Sequence, residues 1–337
     1  MGNRVRVAFY GAGNFANTTH IPNLLQIEDT QIVAICDINQ EAATSTADKF
    51  QIPQVFFDGQ EMLGQVEFDA LYSIVPAYAR TDVEITAAKR GIHLFSEKPQ
   101  TLKIQLARNI DQAIRKSGVI STVGFRERYR PIFQKAKSFL SDKQIVHTQF
   151  SSYSGLPRLR QQDKGDSWHS SYEKGGFSAF DWGCHAVDYM RFMTGLDIVT
   201  AQAFYHTDDR YQTPLSCSFH YLFAGGATMT STFISATPTS PPNVPRFRIF
   251  YEGGYVSVHG YERIEVNREI IYTATDYDPW LAQDRAFIAA VKTNDQQLLM
   301  SDYSDGIYSL APVLAGWESA RQGGKTIALA EFLADNE

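Results

Sequence analysis

Asp181, His185 and Asp188 are the first candidates for chemistry, because they interrupt an otherwise largely apolar segment, GGFSAFDWGCHAVDYMRFMTG, at residues 175–195. On a helix, Asp181 and His185 lie four residues apart on one face, and Asp188 follows three residues later. An imidazole titrates near neutral pH, so His185 is a candidate general base. The same two side chains could instead be half of a metal site or a buried capping pair.

Lys98 is a second candidate. It lies in the triplet Glu97-Lys98-Pro99, at the end of the strand-like segment GIHLFSEKP. Ligands of open α/β sheets bind at the carboxyl ends of the strands, and an ammonium group there can stabilise negative charge that develops on a substrate oxygen. The alternative is an ordinary surface lysine before a turn.

A glycine-rich turn indicates what the protein binds. Gly11, Gly13 and Ala16 form a G-x-G-x-x-A pattern between the strand-like VRVAFY and a helical segment. The first glycine permits a tight turn, the second lets the backbone approach a pyrophosphate, and Ala16 keeps the helix close to the sheet. The helix N-terminus would face the phosphates. We therefore assign this turn, including Asn14 and Phe15, to dinucleotide binding.

Asp37 determines the expected choice of dinucleotide. It follows the strand-like TQIVAIC, where an acid can accept hydrogen bonds from the adenosine ribose hydroxyls and repel a 2′-phosphate. Ile38 and Asn39 supply no cation to offset that repulsion. The sequence therefore predicts NAD as the cofactor, with NADP as the alternative. Asp37 could also be the N-cap of the next helix.

Two kinds of sequence pattern predict the fold that positions these groups. The N-terminal third alternates apolar strands with helices, which predicts a doubly wound parallel sheet of the Rossmann type. After Gly124, aromatic-rich segments with a period near two predict an α+β domain with a large, mostly antiparallel open sheet. We expect residues 1–124 to bind NAD(P) and residues 125–337 to bind substrate and oligomerise. The final helix could pack back on the first domain.

The composition limits the classes of partner. The 337 residues carry a net charge of −6, which gives no general attraction to nucleic-acid phosphates or acidic membranes. The three cysteines contain no C-x-x-C pair, which argues against a disulfide framework or a structural zinc and favours a reducing compartment. No leader-like segment or membrane-length apolar run is evident. We expect a cytoplasmic protein that binds no nucleic acid, membrane or metal.

The motifs together resemble those of a known family. GAGNFA, VAICD, EKPQTL, VGFRERYRP, GGFSAFDWGCHAVD and YEGGYVSVHG follow one another over nearly the whole chain. This succession resembles the Gfo/Idh/MocA oxidoreductases, which include glucose–fructose oxidoreductase and inositol dehydrogenase. The resemblance implies an NAD(P)-dependent dehydrogenase or reductase that acts on CH–OH groups of a sugar, cyclitol or related polyol.

The resemblance also implies roles for the reactive side chains. The helix face with Asp181 and His185 would close over the nicotinamide, opposite Lys98, and Glu97 would lie near the nicotinamide ribose. Lys98 or His185 would take the hydroxyl proton, and Asp181 would bind a neighbouring substrate hydroxyl or hold His185 in one tautomer. Asp188 could orient His185 or be a solvated helix residue. Family resemblance further implies a cis peptide bond after Lys98.

Three other residues are assigned to the site by the same resemblance. Pro76 matches the proline of the family loop beside the nicotinamide, although its neighbours depart from the usual Thr-Pro and histidine. Arg126 begins an Arg-Glu-Arg segment where inositol-dehydrogenase-like members often read Met-Arg-Arg, so it could contact substrate or form an ion pair. Trp168 resembles a family tryptophan that would bind substrate, and its alternative is ordinary core.

Competing functions and assembly complete the expectations. Some relatives use bound NAD transiently to cleave glycosidic bonds, and a non-catalytic cofactor-binding sensor is a further alternative. A sensor should have lost Lys98, Asp181 or His185, and none is lost. LSCSFHYLF and TSTFISA contain too many apolar residues for a sheet with one solvated face, so we expect a homodimer or homotetramer through the C-terminal sheet.

Overall fold

The structure is a computed structural model that describes residues 4–162, 168, 171–237, 239, 241 and 244–334. Its contacts divide the chain into two compact units. The first unit comprises Met1–Tyr129 and Asp278–Ile307, and the second comprises Arg130–Tyr277 and Tyr308–Glu337. The segment Asp278–Ile307 thus groups with the first unit, and the expected domain bounds of 1–124 and 125–337 stay a prediction.

The helices of the described residues follow one another along both units. In chain order they are α1 (Ile21–Leu24), α2 (Gln40–Phe50), α3 (Gly59–Gln65), α4 (Val83–Lys89), α5 (Ile104–Ser117), α6 (Pro131–Leu140), α7 (Ser178–Thr194), α8 (Pro279–Thr293), α9 (Tyr303–Arg321) and α10 (Leu329–Ala334). One π-helical turn, Ala16–His20, precedes α1. The boundary between the two units falls within α9.

The first unit contains a six-stranded sheet in the order β3-β2-β1-β4-β5-β6. Its strands are β1 (Val5–Tyr10), β2 (Thr30–Cys36), β3 (Gln54–Phe56), β4 (Ala70–Ser73), β5 (His93–Ser96) and β6 (Ser121–Val123). Every neighbouring pair is parallel. The predicted doubly wound parallel sheet is therefore confirmed, and the carboxyl ends of all six strands lie at one edge.

Apolar packing explains why α8 belongs to the first unit. Phe287 and Ile288 of α8 are buried in one cluster with Val7 and Phe9 of β1 and with Leu24 of α1. Strands in the middle of a parallel sheet are covered on both faces, and β4 is accordingly buried along its whole length. The cluster around β1 is completed by a helix that lies far along the chain, which sequence periodicity could not reveal.

The second unit contains a nine-stranded sheet in the order β14-β13-β12-β11-β7-β10-β9-β8-β15. Its strands are β7 (Ile145–Ser154), β8 (Ile198–His206), β9 (Ser216–Phe223), β10 (Thr228–Ser235), β11 (Phe247–Tyr251), β12 (Gly254–His259), β13 (Arg263–Val266), β14 (Glu269–Thr273) and β15 (Ile327–Ala328). Neighbours are antiparallel except β7 and β10, which are parallel. The predicted mostly antiparallel sheet is confirmed.

The two faces of this sheet differ more clearly than the sequence suggested. In β9 the side chains of Cys217, Phe219, Tyr221 and Phe223 are buried, and the intervening side chains are partly or fully exposed. In β10, Thr228, Thr230 and Thr232 alternate in the same way with buried neighbours. The expectation that both faces are too apolar for one of them to be solvated was therefore wrong for these strands, because successive side chains point to opposite faces.

Candidate active site

The turn after β1 contains two glycines, and each is needed for a different reason. Gly11 has a φ of +113°, and a Cβ there would overlap the backbone carbonyl of Ile74, 2.7 Å from its carbon. Gly13 is exposed, and a Cβ there would have no protein atom within 4 Å. Gly11 is thus required by the protein itself. The open space at Gly13 fits the close approach of a phosphate, as the G-x-G-x-x-A pattern predicts.

Asp37 is fixed at this turn by two backbone donors. Its carboxylate accepts hydrogen bonds from the N–H of Ala12 at 2.8 Å and from the N–H of Asn39 at 2.8 Å. The N-cap of α2 is Asn39, whose side chain accepts from the N–H of Ala42. The alternative role of Asp37 as the helix N-cap is therefore wrong. A carboxylate has further lone pairs, so the half-buried Asp37 can also accept from hydroxyl groups of a ligand.

The helix after the turn begins irregularly. Asn14 and Phe15 enter a π-helical turn at Ala16–His20, and α1 continues it for one further turn. Ala16 is completely buried, which agrees with close packing of the helix on the sheet. The side chain of Asn17 donates to the carbonyl oxygens of Ala12 and Gly13 at 2.9 and 3.1 Å and so stabilises the turn.

Glu97 and Lys98 follow β5 at the same edge of the sheet. The peptide bond between Lys98 and Pro99 is cis, so that prediction is confirmed. The carboxylate of Glu97 accepts a hydrogen bond from the N–H of Lys98 at 3.0 Å. The same carboxylate leaves no room for a side chain at position 124, directly after β6. A Cβ on Gly124 would lie 2.6 Å from the carboxyl carbon of Glu97. The Lys98 side chain is half-buried.

A buried histidine that sequence reasoning missed contacts Glu97. His20 Nε2 lies 3.2 Å from Glu97 Oε1, and His20 Nδ1 lies 2.9 Å from Asp284 Oδ1 of α8. Asn23 donates to the other oxygen of Asp284 at 2.8 Å. Burial on its own lowers the pKa of His20, but the Asp284 carboxylate and then Glu97 outweigh that effect and raise the pKa to about 10. We therefore expect His20 to be an imidazolium at neutral pH.

An arginine that the sequence analysis also missed holds the backbone of Glu97. Arg80 donates from Nη2 to the Glu97 carbonyl oxygen and from Nη1 to Glu84 at 2.6 Å. The same nitrogen contacts the hydroxyls of Ser73 and Ser96, at the ends of β4 and β5, at 2.9 and 2.6 Å. Both Arg80 and Glu84 are almost fully buried. Their i, i+4 spacing is the signal in the sequence, although only Glu84 lies on α4 and Arg80 precedes that helix.

Pro76 and Arg126 also lie in the first unit. Pro76 follows β4 and precedes a 3₁₀ turn at Ala77–Ala79, so it joins the group of residues at the carboxyl edge. The guanidinium of Arg126 lies 4.5 Å from the centre of the Trp280 ring and 3.1 Å from the carboxylate of Glu127. These contacts agree with the ion-pair alternative for Arg126, and they leave its contact with substrate a prediction.

Helix α7 of the second unit carries Asp181 and His185. The predicted helix is confirmed over Ser178–Thr194, with Asp181 half-buried in its first turn and His185 1% exposed. The imidazole of His185 stacks on the Tyr189 ring, with centroids 5.6 Å apart and an interplanar angle of 13°. The Trp182 ring lies 5.2 Å away on the same helix. His185 thus packs against two aromatic rings of its own helix.

Asp188 is not a solvated residue. It is fully buried and accepts a hydrogen bond from the Ser309 hydroxyl at 3.0 Å. Ser309 in turn accepts from Arg191 at 2.8 Å, and Arg191 forms an ion pair with Asp197 at 2.7 Å. The solvated alternative for Asp188 was thus wrong, and these contacts give it a structural role between α7 and α9 of the second unit.

The remaining assignments concern Trp168, metals and membranes. Trp168 is half-buried and its carbonyl oxygen accepts a hydrogen bond from the Ser171 N–H at 2.9 Å. Residues 163–167 and 169–170, on either side of it, lie outside the described residues.

Within the described part of the chain, no three His, Cys, Asp or Glu residues are arranged to hold a metal ion. A search of the same part finds no helix that is long and apolar enough to cross a membrane.

Family models match both parts of the chain. Residues 5–125 match the GFO/IDH/MocA model for an oxidoreductase family with an NAD-binding Rossmann fold. Residues 133–257 match the model of the GFO/IDH/MocA C-terminal domain. The two matched ranges contain the glycine turn, Lys98 and the Asp181–His185 pair.

Individual relatives are similar over different lengths. The chain is 27% identical to scyllo-inositol 2-dehydrogenase (NAD(+)) of Bacillus subtilis over 59% of this chain and 57% of that enzyme. It is 24% identical to D-apiose dehydrogenase of Paraburkholderia graminis over 98% and 92%. For several of the curated relatives the match spans less than two thirds of the relative's own length.

A solved structure shares the whole fold. The oxidoreductase from Agrobacterium radiobacter, solved in complex with NAD+, L-tartaric acid and magnesium, superposes with a TM-score of 0.81. The superposition covers 98% of this chain and 100% of that chain at 19% sequence identity. At this level of identity the likeness shows a common fold.

Proposed function

The chain belongs to the GFO/IDH/MocA family of oxidoreductases, and we propose that it is an NAD-dependent dehydrogenase of sugars, cyclitols or related polyols. The observation that carries the proposal is the group of residues at the carboxyl edge of the parallel sheet. There the glycine turn follows β1, Asp37 follows β2 and Lys98 follows β5. The names of relatives that oxidise inositol and apiose support the substrate class.

The residues of the first unit fit a dinucleotide. Gly11, Gly13, Asn14, Phe15 and Ala16 would hold the pyrophosphate, and the open space at Gly13 leaves room for it. Asp37 would accept hydrogen bonds from the adenosine ribose. A 2′-phosphate would bring a second anion to a carboxylate that Ala12 and Asn39 already hold in place, so we propose NAD in preference to NADP.

Pro76, Glu97 and Lys98 would hold the other half of the cofactor. Pro76 follows β4 at the carboxyl edge of the sheet. The carboxylate of Glu97 is held in place by its own contacts and would accept a hydrogen bond from a ribose hydroxyl. When bound, NAD+ supplies a nicotinamide ring that accepts a hydride from the carbinol carbon. All other steps in our proposal are performed by side chains of this chain.

Lys98 and His185 would act on the substrate oxygen. The Lys98 ammonium would donate a hydrogen bond to that oxygen and stabilise the charge that develops on it. His185 would take the hydroxyl proton as general base, and in the direction of reduction it would return it. Asp181 would bind a neighbouring hydroxyl, and its half-buried position on the same face of α7 leaves it accessible to one. Trp168 and Arg126 are proposed as further substrate contacts.

The proposal extends to assembly and location. We place the protein in the cytoplasm because Cys36, Cys184 and Cys217 are buried, free thiols, as expected in a reducing compartment. We also propose a homodimer or homotetramer formed through the exposed face of the nine-stranded sheet. The support is local: Phe204 of β8 is 53% exposed and Leu222 of β9 is 36% exposed on adjacent strands.

A substrate screen tests the proposed function. The protein would be incubated with NAD+ and a panel of inositols, aldoses and sugar acids, and NADH absorbance would be followed. We expect steady NADH formation with at least one polyol, and slower NADPH formation when NADP+ replaces NAD+. Cleavage of a glycoside without net NADH formation would favour the glycosidase-type alternative. Tight NAD binding without turnover of any panel member, and without glycoside cleavage, would favour a sensor.

A further inference from the structure

The buried cluster of His20, Glu97 and Asp284 is not explained by folding alone. Two carboxylates and one imidazolium are removed from water within hydrogen-bond distance of each other, and His20 is 1% and Asp284 0% exposed. Burying such ions is costly unless each is paired and hydrogen-bonded, and apolar residues of the same volume often stabilise a fold better. A cluster of this kind is therefore expected where it serves a site.

Every group that faces His20 restricts its imidazolium to one position. Asp284 of α8 accepts a hydrogen bond from Nδ1 of His20, and Asn23 of α1 donates to the other oxygen of that carboxylate. The rings of Phe15, Tyr72 and Phe95 surround the imidazolium, with centroids at 5.1, 5.6 and 4.9 Å. With Asp284 at one nitrogen, the other nitrogen can donate only toward Glu97.

Glu97 in turn connects this cluster to Lys98. One of its carboxylate oxygens faces His20 Nε2, and the other accepts the N–H of Lys98. Gly124 provides the space that the carboxylate occupies. The carbonyl oxygen of Glu97 accepts a hydrogen bond from Arg80. The backbone from which the Lys98 side chain extends is thus fixed through Glu97.

We propose that His20 is a positioning residue, which Asp284 holds so that its imidazolium orients Glu97 toward the nicotinamide half of the cofactor and fixes the backbone of Lys98. The inference rests on the proposed function, because it assigns Glu97 and Lys98 to the cofactor site. His20 itself touches neither substrate nor cofactor in this proposal. Replacing His20 should therefore weaken the binding of the nicotinamide half of the cofactor and leave the binding of the ADP-ribose half unchanged.

A binding comparison tests the proposal without a known substrate. Dissociation constants for NADH and for ADP-ribose would be measured with the wild-type protein, His20→Gln and Asp284→Asn. The ratio of the two constants isolates the nicotinamide half. We expect the ratio of the NADH constant to the ADP-ribose constant to rise roughly tenfold or more in His20→Gln, the effect of losing a hydrogen bond to a charged group, and to change in the same direction in Asp284→Asn. ADP-ribose should bind about equally to all three proteins.

Thr30→Val is the matched control. Thr30 is buried in the same unit, and its hydroxyl donates to the carbonyl oxygens of Leu24 and Ile27 at the end of α1. Its loss should lower stability but leave the ratio unchanged. If His20→Gln does not fold, Asp284→Asn still tests the proposal, because the neutral amide keeps the shape of the carboxylate. Nitrogen-15 NMR of the wild-type protein should show both ring nitrogens of His20 protonated at pH 8.

Three results would overturn the proposal. One is a ratio in the folded variants that matches the ratio in Thr30→Val. Another is a loss of ADP-ribose affinity in proportion to that of NADH, which would make His20 merely structural. A neutral His20 ring at pH 8 is the third. A wild-type protein that binds neither ligand would overturn this inference and the proposed function together, whereas the other results leave the proposed function standing.

Discussion

The carboxyl edge of the parallel sheet and helix α7 hold their reactive side chains in different ways. At the edge, Glu97 and Asp37 are held by hydrogen bonds from several separate segments. On α7, the Tyr189 ring stacks on His185 and the Trp182 ring lies beside it. The difference indicates a division of work. In our proposal the edge fixes charges for binding, and α7 carries the imidazole that acts as general base.

If that division is correct, the largest effect should come from removing the groups that act on the substrate oxygen. We expect Lys98→Ala and His185→Ala each to lower kcat roughly 10²–10⁴-fold, the usual range for a positioned acid or base. The double variant should lose less than the product, because groups that act as a unit are not additive. NAD affinity should change little in His185→Ala. Steady-state kinetics and calorimetric titration with NAD+ provide the measurements.

A structural role for His185 would produce the opposite pattern. In that case His185→Ala would keep near-normal turnover and lose several degrees in melting temperature. The comparison between the two regions would then fail, because α7 would contribute only core packing.

The two glycines of the turn should separate folding from binding. Gly11→Ala places a side chain at a φ of +113° and against the Ile74 carbonyl, so we expect a loss of at least about 2 kcal/mol in the free energy of unfolding. Gly13→Ala meets no protein atom, so its stability should stay within about 0.5 kcal/mol of the wild type. NAD affinity should nevertheless fall in Gly13→Ala. Denaturant titration and NAD binding would show whether the two losses separate.

Asp37 allows a test of cofactor choice at the binding edge. Asp37→Ser should shift the ratio of NAD to NADP dissociation constants toward NADP by about tenfold, or 1.4 kcal/mol. Asp58→Ser is the control. It removes another carboxylate that follows a strand, β3, at the same edge of the sheet, and serine can replace Asp58 as the N-cap of α3. A shift of equal size in both variants would mean that general charge, and not the position of Asp37, selects the cofactor.

A separate effect should be a pH dependence of stability that comes from His20. The folded state raises the pKa of His20 from its ordinary 6.5 to about 10. A raised pKa contributes stability that is fully present below about pH 6.5 and is lost as the pH rises through 10. The difference in unfolding free energy between the wild type and His20→Gln should therefore shrink between those limits. A difference that stays constant from pH 6 to pH 10 would contradict the charged state of His20.

Local patterns in the sequence predicted the residues that act, but not those that hold them. The glycine turn, Asp37, Lys98 and the pair on α7 each depend on spacing within a few residues, and the structure places them on the expected elements. His20 and Asp284 are 264 residues apart, so only the folded chain brings them together. Arg80 and Gly124 act on Glu97 across neighbouring strands, which no one-dimensional period records.

Two further expectations failed for physical reasons that concern context. The N-cap of α2 is Asn39 and not Asp37, because the Asp37 carboxylate turns back to the Ala12 N–H. The exposed side of β9 and β10 is largely Ser, Thr and His, because the aromatic residues that made these strands look apolar all point to the buried side. Composition counts such residues together, whereas the alternation of a strand separates them.

Deuterium transfer would test the central claim most directly. Polyols labelled with deuterium at the carbinol carbon would be incubated with the protein and NAD+, and the mass of the recovered cofactor would be measured. The account predicts that with the active polyol the reduced cofactor is one mass unit heavier than NADH formed from the unlabelled polyol. Lys98→Ala and His185→Ala should slow the formation of this heavier cofactor without abolishing NAD binding. Formation of product with a cofactor that has gained no deuterium would contradict the account.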